Sequence, residues 1–200
     1  MKSFIATSAA LLSATGALAQ TYQQSAPFEL IVQQPPNGKY NNQGLAACHE
    51  GAAIEALCVG YGSDQYQLNT TSGQTVAPDA GTPGTLTYAL PAQNANGPIN
   101  VSEAMSFYYD PSTNVALPLF EPSYTNVHVA FDRQARMNIQ SSVDDTVTPP
   151  KYTQPRALYR WFVCETYYSG YTYTALTWAL GNAKPENPSC QSVNVVRKFV

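Results

Sequence analysis

Hydrophobic and polar positions alternate in short segments along most of this chain. β-Branched and aromatic residues concentrate in these segments, whereas Pro, Gly and Asn cluster between them. The segments are FELIV, QYQLN, TLTYAL, EAMSFYY, NVHVAF, MNIQSSV, RWFVCETYYSGYTYTALTWAL and SVNVVRKFV. A period of two, bounded by turn-forming residues, is typical of β-strands. About eight or nine strands at a spacing of roughly ten residues predict an all-β protein.

The predicted fold is a two-sheet antiparallel β-sandwich of the jelly-roll type, stapled by disulfides, with a closed barrel as the alternative. The 200 residues suffice for one sizeable core and are too few for two ordinary domains. The one candidate helix is GAAIEAL, residues 51–57. Its position between Cys48 and Cys58 favours a cross-strand hairpin, because a single helical turn is poorly stable on its own.

One long aromatic segment predicts a hairpin with a defined register. Ser169-Gly170 lies between two β-rich arms and indicates a two-residue turn. This turn places Trp161 directly across from Trp178. The face that carries both Trp side chains is predicted to be a core face over residues 159–167 of the first arm.

Three tyrosines are predicted on the opposite face of this hairpin, near its turn. They are Tyr168, Tyr171 and Tyr173, and nothing in the sequence is an obvious cover for them. Tyr offers an apolar ring and a hydroxyl and loses few rotamers on binding, which suits weak recognition of a neutral polymer such as chitin or glucan. Because Tyr also favours strands, packing beneath a neighbouring loop is the alternative.

Residues 1–19, MKSFIATSAALLSATGALA, have the features of a secretory signal peptide. A single Lys precedes a short apolar stretch, and Ala17-Leu18-Ala19 matches the small-x-small pattern that signal peptidase accepts. Cleavage would leave residues 20–200 as a single secreted β-sandwich domain that begins with Gln20. Because no run of about 18 apolar residues occurs later, we expect no membrane partner after cleavage.

An even number of Cys in an exported chain predicts disulfides in preference to metal ligands or a catalytic thiol. The four Cys allow three connectivities. The pairing favoured by local spacing along the chain is Cys48–Cys58 with Cys164–Cys190.

Two sequons predict N-glycosylation. They are Asn69-Thr70-Thr71 and Asn100-Val101-Ser102, with Asn69 and Asn100 as the acceptors. A third sequence of this kind, Asn187-Pro188-Ser189, is excluded by its Pro. Glycosylation fits an exported protein.

Charge excludes several classes of partner. Only 12% of residues are charged, and loss of residues 1–19 leaves nine basic against thirteen acidic residues, a net charge of −4. The basic residues are scattered, so there is no stripe for nucleic-acid phosphates and no patch for an anionic membrane. No Gly-rich phosphate loop, His-x-x-x-His pair or Cys-x-x-Cys pair occurs. We therefore predict no nucleic-acid partner, no cofactor and no metal site.

Catalytic signatures are equally sparse. No Gly-x-Ser-x-Gly elbow occurs, and His49, one of two His residues, has no visible nucleophile to serve, so we expect it to be structural. A glycosidase needs only two carboxylates across a cleft. The candidates are Glu103, Asp110, Glu121, Asp132, Asp144, Asp145 and Glu165. On the predicted Trp face, Glu165 must be paired, exposed at the rim or raised in pKa.

Four motifs follow one another in the part of the chain that runs from about Ser25 to the C-terminus. They are ACHEGAAIEALC, MSFYYDPSTNVALPLF, RWFVCETYYSGYTYTALTWALG and KPENPSCQSVNVVRKF. Together they resemble a group of secreted fungal proteins of the ascomycete type, whose function is unassigned. The resemblance implies an extracellular fungal protein with the Cys residues paired in these contexts, and it carries over no catalytic residue and no substrate.

The function that these observations favour is that of a non-enzymatic secreted protein of the fungal surface or matrix, with a cell-wall glycan as its partner. The tyrosine-rich hairpin end and the uncharged polar surface support it. One alternative is a secreted hydrolase of polysaccharide, which needs two carboxylates about 5 to 10 Å apart in an open cleft. Another is a host-interacting effector or allergen-like protein that acts through an exposed patch.

Overall fold

The computed structural model describes residues 21–123 and 125–200, and within them the chain is built from β-strands without a helix. The predicted signal peptide, residues 1–19, lies outside the described residues. No helix in the described part of the chain is long and apolar enough to cross a membrane. The prediction of an all-β fold is confirmed.

Fifteen strands make up this part of the chain. In chain order they are β1 Tyr22–Gln24, β2 Phe28–Gln33, β3 Leu45–Gly51, β4 Ile54–Val59, β5 Tyr66–Thr71, β6 Gly84–Asn94, β7 Gly97–Tyr109, β8 Val115–Glu121, β9 His128–Phe131, β10 Met137–Asp144, β11 Lys151–Leu158, β12 Trp161–Tyr168, β13 Tyr171–Ala179, β14 Gln191–Ser192 and β15 Asn194–Phe199. The strands pair with one another in antiparallel orientation.

The strands form one connected sheet that curls into a half-barrel. Its longest path runs β11-β10-β9-β6-β7-β8-β4-β13-β12-β14, while β5 joins β1, β2 and β6, and β15 pairs with β2. A twisted sheet of this many strands curls instead of staying open. The predicted division into two separate sheets is therefore not confirmed, because hydrogen-bonded pairing connects all fifteen strands.

Both hairpins predicted from local sequence are present. Strands β3 and β4 pair from Leu45 opposite Val59 onward, so the segment between the first two Cys residues is a hairpin and not a helix. Strands β12 and β13 pair with Trp161 opposite Trp178, as predicted. The turn residues Ser169 and Gly170 have φ values of 49° and 95°. Positive φ at both positions is what a two-residue type I′ turn requires.

The main core fills the inner side of the curl. Its largest side chains include Trp161, Tyr66, Phe28 and Phe120, all nearly or fully inaccessible to solvent. The Trp161 indole N–H donates a hydrogen bond of 2.9 Å to the carbonyl oxygen of Met137, which satisfies the one polar atom of the buried ring.

The core face of β12 is shorter than predicted. Trp161 and Val163 are buried, but Glu165 is exposed and Tyr167 is 75% exposed. The hairpin extends past the main core at this point, so alternation alone overestimates how far burial continues. Of the three outcomes predicted for the Glu165 side chain, exposure is the one observed.

A second, smaller cluster lies on the outer side of the sheet, where β4, β8 and β13 pair with one another. This junction cluster consists of Cys48, Ala56, Cys58, Leu117, Leu119 and Ala175. It contains the first disulfide, Cys48–Cys58. The second disulfide is Cys164–Cys190, so the predicted pairing of all four Cys residues is confirmed.

Candidate functional site

The three predicted tyrosines lie together over the junction cluster, on the face opposite the Trp pair. Tyr168 and Tyr173 are partly buried against the cluster. Tyr171 is 36% exposed and stacks on Tyr173, with ring centroids 6.2 Å apart and planes inclined by only 5°. Residues two apart on a strand share a face, which explains the stack. The rings are thus partly packed and partly open to solvent.

Rings from other parts of the chain extend this patch. Tyr61, in the loop after β4 and 62% exposed, meets Tyr173 edge to face at 5.7 Å. Tyr108 of β7 meets Tyr168 in the same way at 4.8 Å. We call the five rings of Tyr61, Tyr108, Tyr168, Tyr171 and Tyr173 the tyrosine surface. Its two additional members were missed from sequence, because they come from segments far from the hairpin.

His49 contacts the edge of the tyrosine surface. Its ring lies edge to face against Tyr171, with centroids 5.4 Å apart. The register of β3 shifts between His49 and Gly51, and such a bulge re-aims the side chains next to it. The role predicted for His49 was structural, and the contact places its imidazole against a ring and not beside a nucleophile.

A buried carboxyl group lies beneath the tyrosine surface. Glu50 is 1% exposed, and neither of its carboxylate oxygens has a hydrogen-bond partner among the described residues. Burial raises the pKa of Glu50 to about 7. The pKa values of Tyr168 and Tyr173 are also raised, first by burial and then by neighbouring groups that include Glu50. The two phenols therefore remain protonated hydrogen-bond donors at neutral pH.

An open cleft of about 390 Å³ adjoins the tyrosine surface. Tyr108 belongs to both, and Tyr167 contributes a second ring to the cleft. Val115 and Leu117 supply its apolar part. The polar lining residues are Asp110, Ser112, Thr113, Glu165, Thr166, Thr177, Glu186 and Asn187. Because no Lys or Arg lines it, this cleft offers hydroxyls, an amide and carboxylates to a ligand.

The segment between β13 and β14 forms one side of the cleft and is fixed in place. Asn114 donates from Nδ2 to the carbonyl oxygen of Lys184 (2.8 Å) and accepts from the N–H of Glu186 (2.8 Å). Asn187 donates from Nδ2 to the carbonyl oxygen of Glu165 (2.9 Å). Since the Cys164–Cys190 disulfide ties the same segment to β12, the cleft is preformed.

The seven carboxylates considered from sequence do not converge on one site. Asp110 and Glu165 line the cleft, where Glu186, not singled out from sequence, joins them. Asp132 forms an ion pair with Arg136 at 2.9 Å. Of the other four, Glu103 is fully buried and Asp145 is exposed. Glu121 accepts a hydrogen bond from the Ser106 hydroxyl, and Asp144 accepts one from the Thr146 hydroxyl.

Two carboxyl groups are sealed inside the main core. Glu103 and Glu55 are 0% and 5% exposed. Burial raises the pKa of Glu103 to about 9, and the neighbouring Glu55 adds to the shift. A raised pKa is a common property of catalytic acids. Neither group, however, lies at a surface that a polymer can reach. Glu55 was not singled out from sequence, because burial of a single Glu leaves no mark on the hydrophobic pattern.

Potential metal ligands do not cluster in the described part of the chain. Within residues 21–123 and 125–200, His, Cys, Asp and Glu side chains form no group of three that could hold a metal ion. Both His residues are exposed, and the Cys residues are disulfide-bonded.

Comparison with known proteins gives one finding. The model of a family described as a domain of unknown function, DUF7907, matches residues 25–199. This range includes both disulfides, the tyrosine surface and the cleft. No curated protein and no solved structure shows a significant match to the chain.

Proposed function

The chain belongs to the DUF7907 family, and since the description of that family assigns no activity, we propose from the site itself that the protein binds a neutral polysaccharide without acting on it. The observation that carries this proposal is the continuity of the partly exposed tyrosine surface with a preformed cleft. Tyr108 connects the two, and no Lys or Arg lines the cleft.

The chemistry of the site suits a neutral sugar polymer such as chitin or β-glucan. The stacked rings of Tyr171 and Tyr173 give parallel apolar planes on which sugar faces can lie. Tyrosine hydroxyls and the lining residues Ser112 and Asn187 can exchange hydrogen bonds with sugar hydroxyls. A chain of linked sugars would pass from the tyrosine surface into the cleft.

We place this function outside the cell. The two disulfides are compatible with an extracellular protein. Within the same proposal, residues 1–19 are a signal peptide, the mature glycoprotein begins at Gln20, and the molecule is associated with a fungal surface or matrix. Mass analysis of the exported protein tests the cleavage site directly, and a first residue other than Gln20 would contradict it.

A hydrolase is less well supported. The carboxyl group whose pKa is raised most, Glu103, lies inside the core. In the open cleft, hydrogen bonds from the Ser112 hydroxyl and N–H hold the pKa of Asp110 below its ordinary value. A glycosidase acid needs the opposite shift, because it must carry a proton at working pH.

Retention on insoluble polysaccharide tests the proposal. The wild-type protein should be retained on chitin, β-glucan or cellulose, and Tyr171→Ala/Tyr173→Ala should lower retention about tenfold, since each aromatic contact contributes about 0.5 to 1.5 kcal/mol. The matched control is Tyr22→Ala/Tyr152→Ala, which removes two exposed rings elsewhere. If the wild-type protein binds none of the three polymers, the proposal is refuted and a host protein is favoured as the partner. If the folded double variant binds as well as the wild type, the tyrosine surface is not the binding site.

A further inference from the structure

Arg197, on β15, has its guanidinium among aromatic rings. The guanidinium carbon lies 4.7 Å from the ring centroid of Phe131, 5.0 Å from that of Phe199 and 6.0 Å from that of Phe28. A cation held over ring faces is attracted by their quadrupoles and loses part of its hydration. The residue is neither fully exposed nor fully buried.

This guanidinium has no anionic partner in the described part of the chain. The ion pairs found there use Arg133, Arg136 and Arg156, and the side-chain hydrogen bonds also omit Arg197. Burial lowers the pKa of Arg197, and no neighbouring charge contributes to the shift. A partly desolvated cation without a counter-charge costs stability, so an anion that supplied one would bind favourably.

Arg197 and Phe131 line an open cavity of about 440 Å³. This size is typical of sites for small ligands. The rest of the lining is Gln23, Gln24, Ser25, Leu68, Thr70, Gly81 and Thr82. No acidic residue lines the cavity, so its only charge is that of Arg197. The polar side chains around it are neutral. The Ser and Thr hydroxyls can each donate and accept hydrogen bonds, whereas a Gln amide donates through its NH2 group and accepts through its oxygen.

The wall of the cavity beside Phe131 is closely packed. Gly81 has a φ of 78°, and a Cβ at this position would collide with the carbonyl oxygen of Phe131. On the other side, the Ser25 hydroxyl accepts a hydrogen bond from the Leu68 N–H (2.9 Å) and so joins the N-terminal segment to β5. These contacts hold both walls in place without a ligand.

We propose that this cavity binds the carboxylate of an acidic sugar, with a uronic acid residue as the ligand class. The planar fork of Arg197 matches a carboxylate with two parallel hydrogen bonds. The Phe131 and Phe199 rings hold the guanidinium in place, and the neutral Gln and Thr side chains of the lining suit the hydroxyls of a sugar. The cavity shares no residue with the tyrosine surface or the cleft, so this proposal goes beyond the neutral-polymer site and does not depend on it.

Titration calorimetry on the mature chain, residues 20–200, tests the assignment. The probes are D-glucuronate and D-galacturonate, with D-glucose as the neutral match and acetate as the match for a carboxylate alone. We expect a uronate to bind and Arg197→Gln to weaken that binding at least tenfold. Arg197→Lys should also weaken the binding, because Lys keeps the positive charge but lacks the planar fork. Lys198→Gln removes the same charge from the next residue and should change the affinity less than twofold.

Several outcomes would overturn the proposal. One is the absence of uronate binding at concentrations up to about 10 mM, a weak limit for a specific site. Another is acetate binding as tight as that of the uronates, which would leave only a general anion site. If Arg197→Gln fails to fold in a thermal melt, wild-type affinity in folded Arg197→Lys would refute the role of the fork. Tyr171→Ala/Tyr173→Ala should bind uronate unchanged, which separates this test from that of the neutral-polymer site.

Discussion

The indole rings of Trp161 and Trp178 meet edge to face, with centroids 4.7 Å apart. This residue contact followed from sequence because a two-residue turn leaves only one register for the hairpin. The limit of the core did not follow in the same way. Tyr167 occupies the same face by alternation, yet it is 75% exposed, since burial depends on what packs against a position and not on its period.

Replacing Trp178 with Ala should lower the free energy of unfolding by roughly 3 to 5 kcal/mol, as large-to-small aromatic changes in a core do. The ring is 6% exposed and packs on Trp161 and Phe107. Urea denaturation measures the change. Tyr167→Ala, in the same hairpin, should cost less than about 1 kcal/mol, as surface substitutions do. A loss below about 1 kcal/mol for Trp178→Ala would contradict the burial of the pair.

The buried Glu103 gives stability a pH dependence whose sign can be worked out. Its pKa rises from 4.5 to about 9 on folding, so the folded state holds the proton more tightly than the unfolded chain does. Stability contributed by the protonated carboxyl is complete below pH 4.5 and is lost as the pH rises towards 9. Glu50, with a pKa raised to about 7, acts in the same direction up to that pH.

We therefore expect the wild-type protein to lose stability between about pH 5 and pH 9, with a slope of up to about 1.4 kcal/mol per pH unit from each of the two groups below pH 7 and from Glu103 alone above it. Glu103→Gln keeps the shape of the side chain without the charge, and it should flatten this decline and raise stability at pH 8. Thermal melts at several pH values measure both effects. Glu186→Gln, at an exposed position, should leave the slope unchanged. A wild-type profile that is flat over this range would contradict the burial of Glu103.

The two predicted glycosylation sites lie on different strands and differ in their surroundings. Asn100 lies in the exposed outer part of this hairpin, on β7. Asn69 lies on β5, between strands β1 and β6. Its Nδ2, the atom to which a glycan would attach, donates to the Thr87 hydroxyl at 3.5 Å, and its Oδ1 is buried. We therefore expect a glycan at Asn100 and none at Asn69, whose side chain is engaged within the sheet.

Glycopeptide mass spectrometry of the exported protein should find a glycan on Asn100 and none on Asn69. Enzymatic deglycosylation of the wild type should reduce its mass, and Asn100→Gln should abolish that reduction. Asn69→Gln should leave the glycan in place while lowering stability, because the side chain is partly buried. A glycan on Asn69 in folded protein would show that this part of β5 is open.

Local pairing was predictable, and long-range pairing was not. The β3–β4 and β12–β13 hairpins followed from turn residues and spacing. The junction at which β4, β8 and β13 meet depends on contacts between segments about sixty residues apart or more, which no local pattern records. The same cause limited the tyrosine surface, since alternation placed Tyr171 and Tyr173 on one face but could not bring Tyr61 to them. Short alternating strands also fit a sandwich and a curled sheet equally well.

In the molecule as a whole, the two disulfides have different structural roles. Cys48–Cys58 joins neighbouring strands within the junction cluster, across 10 residues of sequence. Cys164–Cys190 spans 26 residues and ties the side of the cleft to β12. Their pairing was predictable because the two partners of each disulfide are close in sequence. The cleft that the second disulfide supports was not predictable, since its lining comes from β7, β8, β12, β13, the connection between β7 and β8, and the segment after β13.

Removing each disulfide separately should distinguish these roles. By the chain-entropy model, Cys48→Ser/Cys58→Ser should cost about 3 kcal/mol and Cys164→Ser/Cys190→Ser about 3 to 4 kcal/mol of unfolding free energy. Cleavage after Glu186 by a Glu-specific protease should then accelerate in the second variant, because its segment loses the anchor at residue 190. The first variant serves as the matched control. If both variants are cut after Glu186 at the same rate, global unfolding causes the cleavage, and the second disulfide has no separate role in holding the cleft.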